Sequence, residues 1–255
     1  MEKSLALSEI ARFLDETLAI ARFRDVSNNG VQIQNSGRVR KIAFGVDASL
    51  RTFREAVRAG ADLLVCHHGL SWGDSLKRIT GLNYELVSYA IRHDLAVYGV
   101  HLPLDAHPVY GNNAQLCKLL EIGDLLPAFD YHGEKIGFVG NLPEAISREA
   151  FFDRVRERVT PNIQTLDFGK PSVRRIGVVS GGACEMIDQA VELGADLYLS
   201  GEPGLVGYTL AENLGTNAVF AGHYATETWG VKALRGLLDE TFGLPTVMFD
   251  FKITY

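Results

Sequence analysis

Two adjacent histidines, His67 and His68, follow the apolar run Leu63–Cys66 and precede Gly69. The run is too short for a helix and is typical of a buried strand in a parallel sheet. The carboxyl end of such a strand is where open α/β sheets bind ligands, and imidazole is the commonest metal ligand. Because side chains alternate along a strand, the chain either curls so that both rings serve one site or gives each ring a different metal. The alternative is a pair of histidines exposed to water.

A second strand end carries the same chemistry. The apolar segment Leu95–Val100 predicts a strand, His101 follows it directly, and Asp105 comes four residues later. Prolines in this stretch argue against a regular helix, so we expect His101 and Asp105 to lie on a turn. Either Asn112 or Asn113 is then expected to cap a helix over residues 114–120.

The elements that must position these side chains occur twice. Arg40–Gly69 aligns without gaps on Arg174–Pro203 at an offset of 134 residues, which predicts two copies of one strand–helix–strand unit. In this alignment His68 falls on Glu202, so the second copy carries a carboxylate where the first carries imidazole.

A further match at an offset of 122 residues places His101 on His223 and Asp105 on Glu227. Both copies therefore end a strand with a histidine and an acid four residues apart. The second copy runs into an apolar-periodic helix, and we expect Glu227 in its first turn, where the helix dipole favours a carboxylate.

These matches predict an α/β fold of two similar, pseudo-symmetric lobes, residues 1–126 and 127–255, with strand ends facing one cleft. The predicted metal ligands are His67, His68 and Asp105 from the first lobe and His223 and Glu227 from the second. Three imidazoles and two carboxylates suit two divalent ions with positions left for water. Zinc, iron, manganese, cobalt and nickel all accept such ligands. The alternative is five polar residues scattered over a surface.

Smaller candidates have two interpretations each. Trp72 either stacks on a ligand base or packs its loop down. Ser180-Gly181-Gly182 is either an anion-binding nest or a plain tight turn. Glu202 either supports the ligands or faces the substrate, and Cys66 is expected to point into the core as a small hydrophobic residue.

Composition narrows the class of protein. The chain has 255 residues, of which 47% are hydrophobic and 22% charged, as in ordinary soluble proteins. No apolar run approaches the roughly 20 residues of a membrane span, and the amino-terminal stretch lacks the apolar core of a signal peptide. Three cysteines without metal-finger spacing predict a reducing cytoplasm. A net charge of −6 counts against general nucleic-acid binding, although a local basic patch would still permit it.

Taken together, the motifs resemble those of the Nif-three-like dinuclear metal-centre proteins, which are often labelled GTP cyclohydrolase 1 type 2 homologues. The resemblance covers essentially the whole chain. It rests on Asn29-Gly30 with Gln32, Cys66-His67-His68-Gly69, His101-Leu102-Pro103-Leu104-Asp105, Gly111-Asn112-Asn113, Gly194-Ala195-Asp196-Leu197, Ser200-Gly201-Glu202, and Gly222-His223-Tyr224-Ala225-Thr226-Glu227. It implies two α/β lobes, a two-metal site at the five ligands named above, His101 beside the metals, and a toroidal homo-hexamer.

The first functional hypothesis is a metal-dependent hydrolase acting on a small molecule or nucleotide such as GTP, or on a phosphoester, with His101 or Glu202 carrying protons. The second is a non-catalytic, metal-binding hexameric scaffold or regulator that acts through protein partners. The third is nucleic-acid binding through the hole of the ring, against which the net charge of −6 counts.

Overall fold

The computed structural model describes residues 3–255. The strands are β1 (Leu5–Ala6), β2 (Gly30–Ile33), β3 (Arg38–Val39), β4 (Ile42–Asp47), β5 (Leu63–His68), β6 (Ala96–Gly99), β7 (Gly123–Tyr131), β8 (Glu134–Ser147), β9 (Gln164–Asp167), β10 (Ser172–Val178), β11 (Leu197–Ser200), β12 (Asn217–Phe220) and β13 (Thr246–Met248). The α-helices are α1 (Leu7–Thr17), α2 (Leu50–Arg58), α3 (Leu82–Arg92), α4 (Leu102–Ala106), α5 (Asn112–Leu119), α6 (Arg148–Arg158), α7 (Ile187–Glu192), α8 (Leu205–Leu214) and α9 (His223–Phe242). Within residues 3–255, none of the helices combines the length and the apolar character that crossing a bilayer requires.

The chain forms two compact units, and their boundaries differ from the predicted division at residue 126. Of the described residues, the first unit comprises residues 3–104 and Val231–Phe251, and the second comprises Asp105–Gly230 and Lys252–Tyr255. The reason lies in the packing of two segments. Helix α5 contributes its apolar side chains to the core of the second unit, and strand β13 pairs with β4 in the sheet of the first.

The first unit is built on a five-stranded sheet in the order β13-β4-β5-β6-β2. The first four strands are parallel to their neighbours and β2 is antiparallel. Strands β4, β5 and β6 are buried almost throughout, as predicted for apolar runs in a parallel sheet. Their carboxyl ends lie at one edge, so the residues that follow them are brought together.

The second unit is built on a six-stranded sheet in the order β7-β8-β10-β11-β12-β9. Strands β10, β11 and β12 are parallel, and the remaining pairs are antiparallel. The predicted repeat is confirmed as topology, because β4-α2-β5 and β10-α7-β11 are both strand–helix–strand units with parallel strands. The α/β fold class is likewise confirmed.

Three local predictions near the site are wrong. The stretch after His101 is the short helix α4, because Pro103 occupies its first turn, where no backbone N–H donor is needed. Helix α5 has Gly111 as its N-cap with no side-chain cap, since Asn112 and Asn113 hydrogen-bond elsewhere. Helix α9 begins at His223 itself, so Glu227 lies in its second turn.

Candidate metal centre

Three imidazole rings meet at the carboxyl edge of the first unit's sheet. One ring nitrogen from each of His67, His68 and His101 lies within 4.8 Å of the others. The ring centroids are 4.6 Å apart for His67 and His68, and 5.3 and 5.8 Å from these to His101. Side chains on opposite faces of a strand cannot approach this closely. Both histidines nevertheless belong to β5, and His68 pairs in register with Asp47. Whether the two rings serve one metal or two stays a prediction.

Each ring of this histidine cluster is oriented through its Nδ1 atom. That of His67 lies 2.9 Å from the backbone oxygen of Val100, and that of His68 lies 2.9 Å from Oδ1 of Asp47. The Nδ1 of His101 lies 3.0 Å from Oδ1 of Asp25. A carbonyl or carboxylate acceptor favours the tautomer with its proton on Nδ1, and that tautomer offers the Nε2 electron pair to a metal or a proton.

Asp25 is itself held firmly, and its side chain is only 1% exposed. It accepts backbone hydrogen bonds from Ser27 at 3.0 Å and Leu102 at 2.9 Å, and a side-chain hydrogen bond from Asn29 at 3.1 Å. Burial alone raises the pKa of this carboxyl, but the His101 ring and the N–H donors more than offset it and lower the pKa to about 2. Asp25 is therefore an anion that fixes the orientation of His101.

The loop after the histidines is secured by Gln32. Its Oε1 accepts hydrogen bonds from the backbone N–H groups of Leu70 at 2.8 Å and Ser71 at 3.0 Å. A Cβ at Gly69 would lie 2.3 Å from this same oxygen, so only glycine leaves room for the Gln32 side chain. Trp72 donates from Nε1 to the Gly69 oxygen at 2.7 Å, and its ring lies edge-on to His101 at 4.9 Å. Its observed role is thus to pack the loop against the cluster.

The second unit supplies a carboxylate-rich set formed by Asp105, His223 and Glu227. Carboxylate oxygens of Asp105 and Glu227 lie within 4.8 Å of each other, and both residues are buried, at 6% and 3% exposure. The Nε2 of His223 lies 3.1 Å from Oε2 of Glu227. The sequence assigned Asp105 to the first lobe, whereas it is the first residue of the second unit.

Neighbouring polar side chains orient Asp105. Its Oδ1 accepts hydrogen bonds from the amide of Asn112 at 2.9 Å and the hydroxyl of Ser180 at 3.0 Å. The two asparagines at the start of α5 therefore act on this carboxylate and its surroundings. Asn113 accepts the backbone N–H of Ser180 at 2.6 Å and so ties α5 to the loop after β10.

Glu202 lies beside His223, where its Oε1 is 2.6 Å from Nδ1 of the ring. Burial of the His223 ring lowers its pKa, but Glu227 and Glu202 more than offset this and raise the pKa to about 9. Of the two interpretations of Glu202, the structure shows that it supports a predicted ligand. Whether it also faces a substrate stays a prediction.

The turn Ser180-Gly181-Gly182 is a tight turn with a specific use. The N–H of Gly181 donates to the hydroxyl of Thr226 at 3.0 Å, and the N–H of Ser180 is also bonded within the protein, which argues against an anion nest. Gly181 has φ of +68°, and a Cβ there would lie 2.3 Å from Oε1 of Glu227. Glycine at this position leaves the space that the carboxylate occupies.

Sequence reasoning missed two carboxylates of the site. Asp47 ends β4 and pairs in register with His68, so the strand-end argument applies to it as well. Asp25 has no such signal, because it lies outside the regular strands and helices and reaches His101 only through the fold. Cys66 has the predicted role, since it is fully buried and burial raises the pKa of its thiol.

The fold and these donor sets define a class: an α/β protein with a duplicated strand–helix–strand unit whose strand ends carry candidate ligands for divalent metals. The Duf34/NIF3 (NGG1p interacting factor 3) family model matches residues 5–254, and the chain belongs to this family.

Named relatives and solved structures agree with this membership. A "GTP cyclohydrolase 1 type 2 homolog" of Deinococcus radiodurans is 42% identical over 95% of this chain and 92% of its own length. One of Pyrococcus horikoshii is 43% identical over 95% and 96%. Among solved structures, the protein TTHA1606 from Thermus thermophilus has a TM-score of 0.89 at 34% identity, covering 98% of this chain and 100% of that one. Reduced HcgD from Methanocaldococcus jannaschii has a TM-score of 0.85 at 26% identity, with the same coverage.

Proposed function

We propose that this protein is a metal-dependent hydrolase that holds two divalent ions. The proposed ligands are His67, His68, Asp105, His223 and Glu227. The observation that carries the proposal is the clustering of imidazoles in one unit and of buried carboxylates with His223 in the other.

The chemistry of the donor sets fits divalent metals. Acceptors at Nδ1 of His67 and His68 favour the tautomer that coordinates through Nε2, and such supporting bonds are typical of metal-binding histidines. Buried carboxylates such as Asp105 and Glu227 need a compensating positive charge or strong donors, and a cation supplies the charge. Mixed nitrogen and oxygen ligands are common to zinc, iron, manganese, cobalt and nickel sites.

The chain's own residues would then have separate roles in the reaction. Bound divalent ions would supply Lewis acidity, lower the pKa of a water molecule and neutralise developing negative charge. His101, held at Nδ1 by Asp25, presents Nε2 and is the proposed proton carrier. Glu202 holds the ring of His223 and is the second candidate for proton transfer.

A nucleotide is the first substrate class to test, because curated relatives carry the name GTP cyclohydrolase 1 type 2 homolog. With GTP, the expected reaction is hydrolytic opening of the guanine imidazole ring with release of formate. We further propose a cytoplasmic homo-hexamer, which the sequence resemblance alone suggests.

The proposal is tested by metal analysis of protein purified without chelator, followed by turnover measurements on a nucleotide and phosphoester panel with defined metals. We expect about two divalent ions per chain and metal-dependent hydrolysis of at least one compound. Two ions without turnover would instead support the non-catalytic scaffold, and absence of metal would reject both.

A matched pair of variants assigns the ligands. Glu227→Gln should lower the metal content while the protein stays folded. Glu240→Gln, an exposed change on the same helix, should leave it unchanged. Equal metal content in the two variants would remove Glu227 from the ligand set.

A further inference from the structure

A cavity of about 340 Å³ lies in the second unit, and Glu202 is part of its wall. The other lining residues come from the segment before and into the edge strand β9, from the ends of β11 and β12, and from the last two residues of the chain. They are Asn162, Ile163, Gln164, Gly201, Pro203, Phe220, Gly222, Thr254 and Tyr255. The volume is at the lower end of the roughly 300–1,000 Å³ typical of small-molecule sites.

The lining side chains are neutral except for one carboxylate. Among the residues that the structure describes, Glu202 is the only charged side chain in the wall, and neither lysine nor arginine lines it. Phosphate recognition relies on such cations, so this cavity does not suit the anionic end of a ligand. It suits a neutral group that donates hydrogen bonds.

The remaining lining residues specify that group more closely. Ile163 supplies apolar surface beside the buried Phe220, and the amides of Asn162 and Gln164 offer both donors and acceptors. Both amide residues are exposed, so their side chains are available to a ligand. Apolar surface with a few convergent amides and one carboxylate is suited to a planar nitrogen heterocycle with N–H groups.

The cavity is connected to the proposed metal centre through one side chain. Glu202 lines the cavity and also accepts from Nδ1 of His223 at 2.6 Å, while His223 contacts Glu227 within the same unit. The carboxylate of Glu202 therefore lies between a ligand in the cavity and the proposed metal ligand His223.

We propose that this cavity binds the nucleobase of a nucleoside-type ligand, with Gln164 and Asn162 as the residues that recognise its edge and Glu202 as the acceptor of its N–H groups. The inference rests on the proposed function in one respect, namely that the nucleoside-type ligand of this cavity is also the substrate of the proposed hydrolase. The binding itself is independent of hydrolysis.

The test is calorimetric titration of the purified protein with guanosine and adenosine, which lack phosphate, and with inorganic pyrophosphate, which lacks a base. We expect nucleoside binding, whereas pyrophosphate, which the proposed metal ions would also attract, should bind the wild type, Gln164→Ala and Asn162→Ala equally. Gln164→Ala and Asn162→Ala should each weaken nucleoside binding about three- to tenfold, as expected for loss of one neutral hydrogen bond. Metal content should be unchanged in both.

Tyr84→Ala, an exposed substitution on α3 in the first unit, is the control and should bind as the wild type does. Absence of nucleoside binding, or equal affinity in all three variants, would overturn the proposal. Nucleoside binding without hydrolysis of any compound in the nucleotide and phosphoester panel would leave the cavity assignment intact and reject the hydrolase. Hydrolysis of a nucleotide that Gln164→Ala and Asn162→Ala leave unaffected, together with unchanged nucleoside affinity in both variants, would reject the cavity assignment alone.

Discussion

The Nδ1 atom of His101 lies 3.0 Å from Oδ1 of Asp25, although the two residues are 76 positions apart in the chain. The same carboxylate accepts the backbone N–H of Leu102, the residue after His101. Asp25 therefore fixes both the ring and the backbone at this strand end. This relationship distinguishes His101 from its counterpart in the repeat, because His223 is held between two glutamates.

The role of His101 is tested by His101→Gln. We expect the variant to retain its metal and to lose turnover on an established substrate, with one limb of the pH–rate profile absent. His93→Gln, at an exposed position on the surface, is the control and should have wild-type activity. Loss of metal from His101→Gln would instead make His101 a ligand, and full activity would remove it from the reaction.

Asp25→Asn should destabilise the protein by about 2 kcal/mol, because it removes a buried charge that accepts several hydrogen bonds. Chemical denaturation near neutral pH measures this free energy of unfolding. A change indistinguishable from zero would show that Asp25 contributes little to the packing of this strand end.

The same pair of proteins should show a pH dependence of known sign. The pKa of Asp25 is lowered from 3.8 to about 2 in the folded state, so its stabilisation is fully present above pH 4 to 5. It is lost as the pH falls through about 2. The stability difference between wild type and Asp25→Asn should therefore be constant above pH 5 and shrink below pH 4. A difference that grows on acidification would contradict the assignment.

Gly181→Ala should displace the Glu227 carboxylate, because the added Cβ would lie 2.3 Å from Oε1. The matched control is Gly194→Ala, at a glycine of similar backbone conformation with φ of +72°, where no described atom lies within 4 Å of the added Cβ. Both variants should lose about 1 kcal/mol of stability from the left-handed backbone. Only Gly181→Ala should also lose metal, as measured by elemental analysis.

The oligomeric state is predicted by the sequence resemblance alone. Light scattering at micromolar concentration should give the mass of six chains, or about 168 kDa from the 28.0 kDa chain. A stable monomer or dimer under these conditions would reject the hexamer.

The sequence determined the strands and the chemistry at their ends. Buried parallel strands are continuous apolar runs, so the sequence alone predicts β4, β5, β6 and their second copies. The alignment of Arg40–Gly69 on Arg174–Pro203 further predicted that the strand–helix–strand unit occurs twice, and it does. The apolar runs are local signals and the alignment is a sequence repeat, so neither requires knowledge of long-range contacts.

The tertiary structure alone decided how each group is held. Periodicity does not reveal that the rings of His67 and His68 lie close together, that Asp25 reaches His101, or that Asn112 orients Asp105. It also does not reveal that β13 returns to β4, which moves the division of the chain away from residue 126. Hydrogen bonds between distant residues and sheet order depend on long-range packing, whereas patterning reports only which face of an element is apolar.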